Sequence, residues 1–299
     1  MAIMKNLKIE IINDIEKAKK IWNKLSPNNV ICDDWNYRYC FYKYFNYPLH
    51  FYVGSDKEEI VGLFPLQFNE DEKYLEFFGG GFMRDNRVFV KSGYENSVKQ
   101  FYDNITKLTK LKSIVGEDQF TKSLDMYKYK YVADLSGIND ADDYLIKNFK
   151  AKSRYGLRKK IKLIEAMNPE IILNNYDDLD LLIELNKKSF KERSSFNKPY
   201  RREAFHDLLK LNFDIQMLSY VVNGRKEAIS FSIKYNETYV YINAGVNKKD
   251  ISNLGTYNIY KNFEKAIEIG SKYFDAGMGD LGWKEKWHLE KIPEYVFTK

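Results

Sequence analysis

The spacing of hydrophobic residues predicts alternating helices and strands along the whole chain of 299 residues. Apolar residues that recur every three or four positions indicate a helix, and strict alternation indicates a strand. Helices are expected at residues 15–25, 35–45, 95–108, 140–165, 177–190, 201–211 and 254–269. Strands are expected at residues 7–12, 50–53, 60–68, 73–78, 129–135, 170–174, 215–222, 226–235, 238–244 and 274–280. This order predicts an α/β protein with mixed (α+β) sheets.

Two antiparallel meanders, one in each half of the chain, can be aligned with each other. Residues 61–70 align with residues 228–237, and the identical pairs are Phe64/Phe231, Asn69/Asn236 and Glu70/Glu237. So short a match could arise by chance between two similar hairpins. The matching order of the surrounding elements favours a tandem duplication. We therefore expect two lobes, at residues 1–136 and 137–299.

The composition predicts a chain that is folded almost throughout, with 44% hydrophobic and 30% charged residues. No run of about 18 apolar residues occurs, and the N-terminal residues alternate charged with apolar side chains, so we expect a cytoplasmic protein without a membrane span. Cys32 and Cys40 are the only cysteines, and no Cys/His cluster accompanies them. A disulfide framework and a metal site are therefore not expected.

The formal net charge of +6 favours anionic ligands without selecting one of them. Residues 147–162 contain eight basic residues and no acidic one. Such a run can be a solvated helix face, or it can hold phosphate or another anion. Arg154 and Arg158 are the two substrate-binding candidates within it.

The start of the helix predicted at residues 254–269 is a candidate anion site. Backbone N–H groups at a helix start are unpaired, and a glycine there lets the backbone approach a phosphate closely. The alternative is an ordinary loop in which Asn253 or Thr256 caps the helix. The candidate ligand-binding residues of this helix start and of the preceding strand end are Ala244, Gly245, Val246, Asn253, Leu254, Gly255, Thr256 and Tyr257.

A glycine-flanked acid follows the last predicted strand. In the sequence Phe-Asp-Ala-Gly-Met-Gly-Asp, which ends at Asp280, the carboxylate could act as a general base or bind an amine. The alternative is an aspartate that caps a turn. Trp283 and Trp287 are four residues apart and suit either the core or a ligand platform. No Gly-x-Ser-x-Gly motif occurs, so covalent catalysis by a serine of that type is not expected.

These motifs resemble the GNAT acyltransferase superfamily, and within it the BioF2-like or CelD-like branch, which is related to the FemAB peptidyltransferases. Residues 60–66, followed by Phe78-Gly-Gly and Asp85, are similar to that branch in the first lobe. In the second lobe, residues 254–257 lie where the family begins its donor-binding helix. The segment that ends at Asp280, with Lys284 and Trp287, looks like the family's Phe-Asp-x-Gly-x-Gly-Asp…Tyr-Lys-x-x-Trp signature. Trp283 replaces the tyrosine of that signature.

The resemblance implies two tandem GNAT-like lobes, of which the first would be degenerate for donor binding. It implies acyl-CoA as the donor, with acetyl-CoA favoured, and direct attack by an amine-bearing acceptor, with neither metal nor DNA. The acyl-CoA would bind at the residues proposed above, where two strands separate. Asp280 would be the base or amine anchor, Lys284 would hold an anionic group, and Trp283 and Trp287 would contact substrate. Two alternatives remain: aminoacyl transfer from aminoacyl-tRNA, as in FemAB relatives, and a non-catalytic binding protein on the same fold.

Overall fold

The computed structural model describes residues 6–247, 249, 251–279 and 282–299, and the chain forms two compact units. The first unit comprises Met1–Tyr129 together with Pro293–Lys299, and the second comprises Lys130–Ile292. The division at residue 136 into two lobes of common origin stays a prediction.

An antiparallel sheet forms the centre of the first unit. Strands β1 to β4 are adjacent in chain order, and β5 pairs with β3. The elements are β1 (Lys8–Ile12), α1 (Ile15–Leu25), α2 (Trp35–Tyr42), β2 (Leu49–Asp56), β3 (Glu59–Asn69), β4 (Tyr74–Phe77), β5 (Phe89–Val90), α3 (Val98–Asp103), β6 (Lys110–Ile114) and α4 (Gln119–Lys122).

Helix α1 illustrates how the sequence sets these elements. The Asp14 carboxylate accepts a hydrogen bond from the Lys17 N–H at 2.7 Å and caps the helix start. Its buried residues are spaced so that one face packs on the sheet: Ala18, Ile21, Trp22 and Leu25. Pro27 follows the last turn, where it cannot continue a helix. The predicted range of 15–25 is confirmed.

The predicted helix at residues 95–108 is too long, and the strand that follows it was not predicted. The α-helix ends at Asp103, and β6 begins at Lys110. Strand β6 pairs with the end of β13 (Glu290–Thr298), with Leu111 opposite Phe297 and Ile114 opposite Tyr295. The pairing joins segments about 180 residues apart, which no local pattern indicates.

A six-stranded sheet in the order β7-β12-β11-β10-β9-β8 forms the centre of the second unit, which begins within β7. Strands β11 and β12 are parallel, and the pairs β7–β12, β10–β11, β9–β10 and β8–β9 are antiparallel. The elements are β7 (Asp125–Asp134), α5 (Ala141–Asn148), α6 (Ala151–Glu165), β8 (Glu170–Leu173), α7 (Leu179–Phe190), α8 (Pro199–Leu208), β9 (Asp214–Val222), β10 (Arg225–Tyr235), β11 (Thr238–Val246), α9 (Leu254–Glu268) and β12 (Tyr273–Met278).

The single helix predicted at residues 140–165 is two helices. Phe149 ends α5 with an extended backbone (φ −115°, ψ 137°), and this break turns its buried ring towards Trp287 and His288. Burial of this aromatic ring stabilises the chain where the two helices are separated.

Helices α8 and α9 cover opposite faces of the second sheet. The Phe205 ring of α8 packs against Phe231 of β10 at 5.1 Å, whereas Asn262 of α9 hydrogen-bonds Ser230 of the same strand. Neighbouring residues of a strand point to opposite faces, so the two helices lie on opposite sides. Among the described residues, no helix is long and apolar enough to span a membrane.

Candidate active site

The parallel strands β11 and β12 are paired only at their N-terminal ends. Beyond these residues the two strands separate and leave a gap. Their ladder joins only Thr238–Val240 to Tyr273–Asp275 within the described residues, although β11 continues to Val246 and β12 to Met278. A bulge in β11 at Ile242 shifts the β10–β11 register at the same level. Bulges bend a strand and end pairing, often beside active sites. The edge of β11 at residues 241–246 therefore faces a gap.

Side chains of α7 bind the backbone at this gap. Asn186 Nδ2 donates to the carbonyl oxygen of Ala244 at 2.6 Å, and the Ser189 hydroxyl donates to that of Val246. In an antiparallel strand the N–H and C=O of one residue point to the same edge. The N–H groups of Ala244 and Val246 therefore lie on the gap side of β11.

Gly245 brings α7 and β11 into close contact. A Cβ at this position would lie 2.4 Å from the carbonyl oxygen of Leu182 and 2.6 Å from Cβ of Leu185. Both values are far below van der Waals contact, so only glycine fits here. The sequence predicts that Gly245 binds a ligand. In the structure, the space that a Cβ of Gly245 would occupy is filled by α7, and its backbone is part of β11.

We expect the same substitution at two glycines to change stability in opposite directions. Gly245→Ala forces overpacking against α7 and should lower the free energy of unfolding by about 1–3 kcal/mol. Gly255→Ala, where nothing lies within 4 Å of a built Cβ, should raise it by up to about 1 kcal/mol because alanine favours the helix. Urea unfolding of both variants measures the two changes. A Gly245→Ala variant as stable as the parent would contradict the packing assigned to this position.

The start of α9 is open. Asn253, at the cap position, has a left-handed backbone (φ 67°), and its side chain accepts no hydrogen bond from the helix start. The first intrahelical bond runs from the Tyr257 N–H to the Asn253 carbonyl at 3.0 Å, so the N–H groups of residues 254–256 precede the helical ladder. Leu254 and Tyr257 are buried, and Gly255 and Thr256 are half-buried. Asn253 is therefore the N-cap residue, but its side chain does not cap the helix.

Tyr241 lies where the two strands separate. Its hydroxyl accepts a hydrogen bond from Asn258 Nδ2 at 2.8 Å, and its ring stacks on Phe274 and meets Trp283 edge-on. Burial raises the pKa of Tyr241, so the hydroxyl stays protonated at neutral pH. Trp283, half-buried, is thereby placed beside the end of the β11–β12 ladder.

Lys284 binds the end of β12. Its buried Nζ donates to the carbonyl oxygens of Gly277 and Met278, both at 2.9 Å, and lies 5.3 Å from the Tyr131 ring centroid. Asp275 Oδ1 accepts the Gly277 N–H at 2.7 Å, and its other oxygen pairs with buried Lys130 at 3.0 Å. Asp280, which the sequence analysis proposes as a general base or amine anchor, lies outside the described residues.

Trp287 is packed in the interior. Its ring is 3% exposed and stacks on Phe263 at 5.2 Å, with Phe149 edge-on. Of the two alternatives for Trp287, the core and a ligand platform, the structure favours the core.

Arg154 and Arg158 join α6 to α5. Arg158 makes a two-point contact with the Asp142 carboxylate, at 2.7 and 2.5 Å, and Arg154 Nη1 donates to the carbonyl oxygens of Ile146 and Phe149 at 3.3 Å. These contacts favour the solvated-helix interpretation of the basic run. Its exposed cations are the lysines, namely Lys147, Lys150, Lys152, Lys159, Lys160 and Lys162.

A polar network beside the gap was not foreseen from the sequence. Buried Asn186 accepts from the Ser194 hydroxyl at 2.6 Å and donates to Asn243 Oδ1 at 2.8 Å, and Asn243 Nδ2 donates to the Ser195 hydroxyl at 2.9 Å. The signal available in the sequence is an asparagine on the apolar face of a predicted helix. These hydrogen bonds join α7 and the segment that follows it to β11.

Comparison with known proteins identifies the fold. Residues 151–285 match the family model described as "Acetyltransferase (GNAT) domain". Similar solved structures include FemX, which is 11% identical over 97% of this chain and 96% of its own, with a TM-score of 0.65. L-PGS from Bacillus licheniformis is 15% identical over 95% of this chain and 91% of its own, with a TM-score of 0.57. A tandem GNAT protein from the clavulanic acid biosynthesis pathway is 10% identical over 98% of both chains, with a TM-score of 0.55.

No curated protein matches the chain. At 10–15% identity the solved structures show the fold alone, and they extend it over nearly the whole chain, beyond the residues of the family match. The predicted fold of two tandem GNAT-like lobes is confirmed. Residues 151–285 therefore contain a GNAT acetyltransferase domain, and the chain as a whole shares its fold with structures that include FemX.

Proposed function

We propose that the second unit transfers an acyl group from acyl-CoA to an amine. The observation that carries this proposal is the gap between β11 and β12 beside the open start of α9, within the residues of the GNAT family match. A gap with backbone N–H groups along one wall can accept the amide groups of pantetheine. The helix start, with its partial positive charge, suits the pyrophosphate of CoA.

The reaction would be a direct displacement. The amine nitrogen attacks the thioester carbonyl, whose oxygen is stabilised by backbone N–H groups of β11 such as those of Ala244 and Val246. The C–N bond forms, the C–S bond breaks, and the amine proton passes to a base, for which Asp280 is the candidate. The leaving thiolate would receive a hydrogen bond from the Tyr241 hydroxyl, which burial keeps protonated.

The test of this proposal is release of free CoA thiol. The purified chain is offered acetyl-CoA and longer acyl-CoAs with a panel of amines, and thiol release is followed by absorbance. Acceptor-dependent release supports the proposal. Absence of both turnover and CoA binding would favour a non-catalytic protein on this fold.

Aminoacyl transfer from aminoacyl-tRNA is the second candidate. The likeness of the fold to FemX and to L-PGS, together with the exposed lysines of α6, favours it. Against it, α7 and α8 have 12 and 10 residues and cannot supply the long helical arm that many FemAB relatives carry. Activity that disappears after RNase treatment, with no activity on acyl-CoA, would establish this candidate over the first.

We expect Tyr241→Phe to lower turnover about tenfold, because the leaving thiolate loses a hydrogen-bond donor, with little change in the affinity for donor. Tyr239→Phe is the matched control. Tyr239 lies on the same strand, and its hydroxyl contacts Asn262 of α9 at 2.8 Å, but it lies within the paired part of β11. Steady-state kinetics should show loss of turnover in the first variant only. Equal losses in both would remove Tyr241 from the mechanism.

A further inference from the structure

A cavity of about 240 Å³ lies within the first unit, lined by the end of α1, by β5, by α3 and by the segment that follows β6. Its walls are mainly apolar and include Val88, Phe89, Val98 and Ile114. An engineered cavity of about 150 Å³ is enough to bind benzene. The cavity in this unit therefore has room for one six-membered ring and a few further atoms.

A buried hydroxyl in the wall of the cavity has no hydrogen-bond partner among the described residues. Tyr102 is 2% exposed, and its ring is held by aromatic contacts with Phe64, Phe120 and Phe297. Its pKa is raised by burial and, further, by the carboxylate of Asp118, which also lines the cavity. A buried hydroxyl without a partner costs about 1–3 kcal/mol, so a ligand that supplies an acceptor would recover that energy.

A second buried donor lines the same cavity. The Nε–H group of Arg87 is shielded from solvent and has no acceptor in the described part of the chain. The guanidinium is held by Asp33, whose Oδ2 lies 3.3 Å from Nη2. Two fixed donors thus border an apolar space.

The acidic residues that line the cavity are already engaged. Glu95 accepts the Gly93 N–H, Asp118 caps α4 through Thr121, and Glu117 pairs with Lys122 at 2.6 Å. Their three negative charges, against the single cation of Arg87, disfavour an anionic ligand.

We propose that this cavity binds a small uncharged molecule with an apolar ring and one hydrogen-bond-accepting oxygen, such as an aryl ketone. The ring fills the space between β5 and α3, and the oxygen accepts from the Tyr102 hydroxyl and Arg87 Nε. This site is separate from the proposed acyl-transfer site, since every lining residue belongs to the first unit.

The test compares three fluorinated probes by ¹⁹F NMR titration of the full chain. 4-Fluoroacetophenone carries the oxygen, 1-ethyl-4-fluorobenzene lacks it, and 4-fluorobenzoate carries a charge. We expect the ketone to bind at least about fivefold more tightly than either of the other two. No binding of the ketone, or equal binding of the ethyl compound, would overturn the proposal, as would preference for the benzoate.

Tyr102→Phe is the matched variant. It removes only the unpartnered hydroxyl, so its thermal midpoint should equal or exceed that of the parent, and its affinity for the ketone should fall about fivefold with no change for the ethyl compound. Unchanged ketone affinity, or a lower thermal midpoint, would contradict the role given to this hydroxyl. Since no assay here uses CoA, the result is independent of the proposed acyltransferase activity.

Discussion

Asp280→Asn is expected to lower turnover at least a hundredfold while leaving the affinity for acyl-CoA within about twofold. An amide has the size of the carboxylate but cannot take a proton, and loss of a general base typically costs about 10²- to 10⁴-fold. Donor binding should persist because the donor would be held by β11 and the start of α9. Single-turnover rates of acyl transfer, with donor affinity from calorimetry, separate the two effects.

Glu285→Gln is the control for this variant. It makes the same change from carboxylate to amide in the same segment, at a half-exposed residue that pairs with Lys291 at 2.6 Å. The control should keep nearly full activity. If Asp280→Asn retains the parent turnover, Asp280 is not the base, and if both variants lose activity together, the segment is needed for its fold and not for proton transfer.

Gly255→Trp is expected to weaken CoA binding at least a hundredfold. Nothing lies within 4 Å of a Cβ built at this position, and an indole there would cover the N–H groups at the start of α9. Those groups are the proposed pyrophosphate site, and bulk there would exclude the phosphates. Isothermal titration with CoA measures the loss.

Gly255→Ala provides the matched control for the tryptophan variant. A methyl group at this open position adds helix propensity without covering the helix start, so CoA affinity should change by less than about twofold. Unchanged affinity in Gly255→Trp would place the donor elsewhere, whereas a loss in both variants would mean that the backbone freedom of glycine is required.

Local signals account for what the sequence predicted correctly. The Asn223-Gly224 turn has left-handed backbone at both residues (φ 51° and 74°), as a two-residue hairpin requires, and it joins β9 to β10, which match the strands expected at residues 215–222 and 226–235. The cap at Asp14 and the proline at position 27 likewise delimit α1. In each case the determining residues are neighbours in the chain.

Long-range contacts account for what the sequence did not predict. The break at Phe149 depends on the rings of Trp287 and His288, more than 130 residues away. The contact of Asn186 with Asn243 depends on how closely α7 approaches β11, which Gly245 alone permits. The proposed donor side therefore stays a prediction from motifs, as does the role of Asp280, whereas the hydrogen bonds of Asn186 and Asn243 could not be predicted from local sequence.

The pairing of β6 with residues 295–298 affects the order in which the units can be completed during synthesis. The first unit includes residues 293–299, which are translated more than 160 residues after its other part ends at Tyr129. At about 5–20 residues per second, the ribosome needs roughly 8–30 s to reach them. All of the second unit has been translated by then. During that interval the N–H and C=O groups of β6 that pair with residues 295–298 have no partner strand. They are then accessible to chaperones and to other nascent chains.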